Sequence, residues 1–320
     1  MPHLGEPDWA MVRRQVPAYR PTMPSTPFVA TLRCGLHATR WSGLNARIIA
    51  VASWVALAGS PVSAQDTVAP TAPPPVLSPA TLPAPMAAEK WADSARVAIE
   101  AAVVDANPDA MAAARAIAER GLAPYPDDPI LLHYVGYALL REGVMRGDAE
   151  PQRSRALFLQ ARTTLERSAM GRDLPETHGL LSAVIANLIG GSSWRALSLG
   201  PACMRQIDRA LAMGPGNPRA WLMRGVGAFY APRFLGGGNE KAEAALKKAL
   251  ALFPEDHPAS PLPAWGHAEA YGWLALVYVD MKRPADARQA LARGLELDPR
   301  HAFLLQRVLP NVERLEVAAR

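Results

Sequence analysis

The sequence predicts an all-α protein: beyond Glu89, an α-solenoid of about five antiparallel helix pairs, closed by a C-terminal capping helix. Three observations carry this. No segment after Glu89 alternates apolar and polar residues as a half-buried strand does, whereas apolar residues recur there at helical spacing. Small residues stand wherever two helices would have to approach closely. Segment ends recur at 126, 173, 215, 254 and 299, four of them proline, and such a period marks an array of repeats.

In chain order, residues 1–64 come first, as a preamble and secretory signal peptide. From Arg47 the chain reads one positive charge, an apolar run from Ile48 to Ala58, then Gly59 and Pro61, with Val62-Ser63-Ala64 supplying the small residues a signal peptidase accepts. Cleavage is expected before Gln65. The apolar run is too short to cross a hydrocarbon core of about 30 Å, so no integral membrane segment is expected after cleavage. Serine stands where a lipobox needs cysteine, at Leu57-Ala58-Gly59-Ser60. The 43 residues before Leu44 are too long for a signal's charged region, and a start placed too far upstream accounts for them; a mitochondrial transit peptide is the runner-up. Residues 65–88 form a proline- and alanine-rich linker, with seven prolines between 66 and 88 and no amphipathic period.

The net charge of +5 does not belong to the helical part. Residues 1–64 hold six arginines against Glu6 and Asp8, which leaves +1 for the remainder. A near-neutral domain lacks the basic stripe that phosphate binding needs, so no nucleic-acid partner is expected. Cys34 and Cys203 lie on opposite sides of the cleavage site, so Cys203 reads as a small apolar packing residue.

The repeat is clearest in the last unit. Tyr271, Leu274, Ala275 and Tyr278 share one face of a first helix, and Ala287, Leu291, Gly294 and Pro299 follow in a second. This resembles a tetratricopeptide repeat (TPR) at almost every signature position, departing mainly in glycine for alanine at Gly294. With that unit as a ruler, second helices are found at Ala114–Pro126, Ala161–Asp173, Cys203–Pro215 and Ala242–Pro254. First helices precede three of them through Leu132–Leu139, His178–Ile185 and Trp221–Ala228. The spacings of 47, 42, 39 and 45 exceed the 34 of the family. The excess is expected in enlarged turns inside units two, three and four, projecting from one edge, and in a loop between units four and five, Glu255 to His267. The Phe234-to-Ala242 stretch also looks like an insertion seen in small exported bacterial TPR proteins of unassigned function.

The resemblance implies a TPR-like right-handed α-solenoid with a concave groove lined by the first helices and, with it, a protein or peptide partner in the cell envelope. Transferring the family's inward positions gives His133, Tyr137, Arg141, Asn187, Arg219, Phe229, Tyr230, Glu269 and Asp280 as groove residues. A second candidate surface is the loop edge, with Trp194, Arg195, Arg233 and Phe234 in glycine-containing turns. Trp221, Trp265 and Trp273 read as core and loop packing. The chain contains no GxSxG, GxxxxGK[ST], HExxH or CxxC motif, so no catalytic residue, metal site or cofactor is expected. The reading is therefore a non-catalytic interaction module, periplasmic or secreted. The alternative is a small-ligand-binding periplasmic accessory of a solute transporter, which calls for a deep apolar pocket under the edge loops.

Overall fold

The computed structural model describes residues 86–319; the preamble, the signal and the linker up to residue 85 lie outside the described residues. Ten helices form five antiparallel pairs: α1 (Ala88–Asp105) with α2 (Pro108–Leu122), α3 (Pro129–Arg146) with α4 (Pro151–Gly171), α5 (Pro175–Ile189) with α6 (Ser193–Met213), α7 (Pro218–Tyr230) with α8 (Asn239–Leu252), and α9 (His267–Asp280) with α10 (Pro284–Leu297). A π-helical stretch, Phe303–Val308, runs into α11 (Leu309–Ala318) and closes the stack. Each pair packs on the next, and the described residues contain no strand.

Many of the chain's prolines turn out to be helix starters. Proline occupies the first turn of α2, α3, α4, α5, α7 and α10, where its missing N–H costs nothing and its fixed φ suits the helix. At three of these starts the residue before proline is also the cap. Asn107, Asp128 and Asn217 each accept hydrogen bonds from two backbone N–H groups of the turn they open.

The small signature positions do what the spacing required of them. A Cβ on Gly136 would lie 2.5 Å from Leu165, and one on Gly225 would lie 2.6 Å from Leu246, so α3 meets α4 and α7 meets α8 at glycine. Ala114, Ala118, Ala161, Ala210, Ala242, Ala249 and Ala287 are all buried in the same seam. Leu304 and Val308 seal the last pair, Leu304 lying where Cβ atoms on Gly272 and Gly294 would go.

Two of the three enlarged turns are not turns. Between α3 and α4 only residues 147–150 intervene, and the extra length of unit two lies in the helices, which run for 18 and 21 residues. The added turn is packed and paired: Phe158 fills the space beside Gly143, Ser154 Oγ donates to the Gly143 carbonyl at 2.7 Å, and the buried Glu142 meets Arg146 at 2.9 Å. In unit three the excess again extends a helix. Gly190 and Gly191 make the turn at φ +51° and +74°, Ser192 caps, and everything from Ser193 through Pro201 belongs to α6. A ruler of constant helix length cannot detect an added helical turn, because the apolar period simply continues.

Unit four does carry the expected turn. Residues 231–238 include a 3₁₀ stretch, Arg233–Leu235, and return through Gly236-Gly237-Gly238. The amides of these three glycines donate to the carbonyls of Arg233, Pro232 and Ala228 respectively, so the loop is a tight return that uses its own N–H groups. A Cβ on Gly237 would lie 1.8 Å from the Ala231 carbonyl oxygen, so only glycine fits there.

Candidate functional site

The concave wall divides into a covered half and an open half. The loop between units four and five, residues 256–266, lies back across the N-terminal ends of the inner helices. Tyr134 donates its hydroxyl to the Pro261 carbonyl at 2.5 Å, and Ser260 donates to Asp93 at 2.5 Å. Arg219 Nε donates to the Pro263 carbonyl at 3.0 Å, while both terminal nitrogens reach Asp256 Oδ2 at 2.7 and 2.6 Å. Trp265 stacks on Tyr137, with ring centroids 5.1 Å apart. At Gly266, with φ +105°, the backbone passes so close to Leu222 that a Cβ would lie 2.7 Å from it.

Four of the groove residues expected from the family pattern are therefore interior. His133 and Arg219 are 0% exposed, Tyr137 1% and Glu269 6%. His133 Nδ1 pairs with Thr177 Oγ1 at 2.9 Å, and burial, reinforced by nearby Arg219, lowers its pKa to about 3. Burial likewise raises the Tyr137 hydroxyl well above the ordinary tyrosine range. Burial alone would raise the Glu269 carboxyl too. Arg141, His301 and the hydrogen bond from Arg141 outweigh it and hold that carboxyl below its usual value. The Arg141–Glu269 pair, 2.7 Å long, joins α3 to α9 across the concave face, tying unit two directly to unit five.

The remaining groove residues stay at the surface, at the C-terminal ends of the inner helices. Asn187 is exposed, Phe229 half-buried and Tyr230 59% exposed. Asp280 is exposed and accepts from Asn239 at 2.5 Å. Three residues absent from the sequence-derived set complete this half. Trp273 lies 5.8 Å from Tyr230 and 6.3 Å from Phe229, Phe303 lies 5.0 Å from Trp273, and Arg307 sits 5.3 Å above the Trp273 ring while donating to the Tyr230 hydroxyl at 2.7 Å. A continuous row of four aromatic rings thus crosses α7, α9 and the π-helical stretch, with an exposed guanidinium on top. Arg307 has no carboxylate partner among the described residues. Trp273 reads as packing in the sequence because it is one residue off the inward positions, and Phe303 and Arg307 belong to the cap, which the repeat pattern does not reach.

On the loop edge, Trp194 is 76% exposed and Leu197, one turn on, is exposed as well. Arg195 is half-buried, its Nε donating to the Ile189 carbonyl at 3.0 Å; Arg233 pairs with Glu240 at 3.1 Å, and Phe234 falls within the 3₁₀ stretch. A cleft of about 320 Å³ lies elsewhere, lined by Ala92, Asp128, Ile130, Arg172, Pro261 and Leu262 among others.

Comparison with known proteins agrees with this architecture. Residues 268–301 match the tetratricopeptide repeat family model. The solved structure of TTC0263, a thermophilic TPR protein of Thermus thermophilus, is similar with a TM-score of 0.51 at 23% identity, covering 70% of this chain and 98% of that one. The HusA haemophore of Porphyromonas gingivalis is similar with a TM-score of 0.53 at 21% identity, covering 61% of this chain and 94% of that one. At these identities the likeness is one of fold. No protein of curated function matches the sequence. One repeat, residues 268–301, thus matches the tetratricopeptide repeat in sequence, and the helix pairs as a whole share the fold of TPR solenoids.

Proposed function

We propose that this chain is an exported, non-catalytic interaction module that holds a protein or peptide of the cell envelope against the open half of its concave wall. A TPR solenoid is by its type a protein-interaction scaffold. The observation that carries the site is the row Phe229, Tyr230, Trp273 and Phe303 under Arg307. Aromatic rings with an arginine are the side chains that dominate protein interfaces, and a merely solvated helix end would not hold four rings in register. Export rests on the Arg47-to-Ala64 segment, and a periplasmic or secreted location follows from it. The small-ligand alternative called for a deep apolar pocket under the edge loops, whereas the cleft of about 320 Å³ lies against Pro261 and Leu262, on the covered side.

The test places a photo-crosslinking amino acid at Tyr230 or at Trp194 in the full chain inside living cells. A discrete protein adduct from position 230 that disappears in the Trp273→Ala/Arg307→Ala background supports the reading. Adducts from position 194 alone would move the interaction to the loop edge and refute it.

A further inference from the structure

We infer that the covered half of the groove is a receptor for a proline-spaced peptide that turns at its middle, as Ala259–Leu262 does, and carries an acidic residue near its start and a tryptophan near its end, and that the loop 256–266 occupies it in cis. This stands apart from the reading of the aromatic row. The loop is gripped as a bound peptide would be. Tyr134 and Arg219 take the backbone carbonyls of Pro261 and Pro263, the Arg219 guanidinium takes the Asp256 carboxylate, and Tyr137 offers its ring to Trp265. These contacts come from inner helices of units two and four, with Asp93 of unit one adding a contact to Ser260. Backbone carbonyls and a ring are what a non-helical segment presents to a groove, here on either side of the Ala259–Leu262 turn, and a segment joining α8 to α9 can leave without unwinding either helix.

The fit in cis is also incomplete, which points to the ligand that would displace it. The Tyr137 hydroxyl and the Trp265 indole N–H are buried with no hydrogen-bond partner among the described residues, and so is His133 Nε2. A buried polar group without a partner weakens the hold of whatever buries it. A competing segment with the same proline spacing that brings a carbonyl or carboxylate to the Tyr137 hydroxyl gains a bond the loop does not make. Against it stands the tether, which presents the loop at an effective concentration in the millimolar range.

The probe is a fluorescent synthetic peptide of residues 256–266, Asp-His-Pro-Ala-Ser-Pro-Leu-Pro-Ala-Trp-Gly, titrated into the full chain and into a loop variant, Asp256→Ala/Ser260→Ala/Trp265→Ala, with anisotropy as the readout. The variant is expected to bind it at least ten-fold more tightly than wild type does, and a scrambled peptide of the same composition is expected not to bind. Equal binding of the scrambled peptide, or a folded variant that ignores the true peptide, overturns the inference. Hydrogen exchange on the wild-type chain provides a second measurement that does not depend on the variant's folding. Amides in 256–266 are expected to exchange at least ten-fold faster than those of α8 and α9; exchange of the loop only together with those helices means that it never leaves, and overturns the inference equally.

Discussion

Replacing Arg219 by methionine tests the covered groove most directly. Methionine keeps most of the buried stem and removes the charge, so the change isolates the polar contacts. Arg219 is fully buried, and its guanidinium makes two bonds to Asp256 and one to the Pro263 carbonyl. Breaking a buried pair from one side costs about 3–5 kcal/mol because the other charge is left behind unpaired. Asp256 retains 20% of its side-chain exposure and water can reach it, which favours the lower end. The carbonyl left without its donor adds about 1 kcal/mol. The expected loss is therefore about 3–4 kcal/mol, read as a shift in the urea midpoint followed by circular dichroism. Removing the stranded charge as well, in Arg219→Met/Asp256→Asn, should recover about 1 kcal/mol or more of it, as residues in direct contact couple by that order. The loss should also be local: amides in 256–266 should lose protection while α1 and α2 keep theirs. A loss under about 1 kcal/mol, or a double variant no better than the single one, would show that the loop is held by its apolar contacts and that the ion pair is incidental.

Further outcomes follow from the same geometry. Gly225→Val should destabilise by about 1–3 kcal/mol through overpacking against Leu246, with exchange in α7 and α8 rising before that in α1 and α2, as a solenoid of neighbour interfaces requires; uniform loss across all five pairs would contradict it. His133 is neutral when folded, with its pKa lowered to about 3, so its contribution is complete above the unfolded value of 6.5 and is lost as pH falls from there toward 3, at about 1.4 kcal/mol per unit. Glu269, also lowered, adds to the loss in the acid range, and urea midpoints at pH 7.5, 5.5 and 4.5 should fall in that order, with His133→Gln flattening the first step. N-terminal sequencing of exported protein should begin at Gln65; a stable exported species retaining residues 1–43 would refute the signal reading. Trp221→Ala should cost only about 1–2 kcal/mol, below the usual range for a core tryptophan, because the ring is half-buried with its N–H on the Pro215 carbonyl; a loss above about 3 kcal/mol would show that the ring matters more than its exposure implies.

Helix pairing, its five-fold recurrence and the residues of the seam were all legible in the amino-acid order. They depend on contacts between residues three, four and about twelve to thirty apart, which a period can register: Gly136 against Leu165, Gly225 against Leu246, and proline after asparagine or aspartate at the helix starts. Where the extra length went was not legible, because an added helical turn and an added loop change the count equally, and only the packing of Phe158 beside Gly143 shows which occurred. Nor was the state of the groove. His133, Tyr137, Arg219 and Glu269 occupy inward positions as the repeat pattern places them, but whether an inward position faces solvent depends on what lies opposite. There the partners are far away in the chain: Tyr134 meets Pro261 across 127 residues and Arg141 meets Glu269 across 128. The loop's own composition held a clue, since a segment with three prolines, a leucine and a tryptophan buries apolar surface only by lying on something. The superhelix decides what it lies on. Curvature accumulated over five pairs brings unit two to unit five, closes one half of the inner wall over its own chain and leaves Tyr230, Trp273 and Arg307 open at the other.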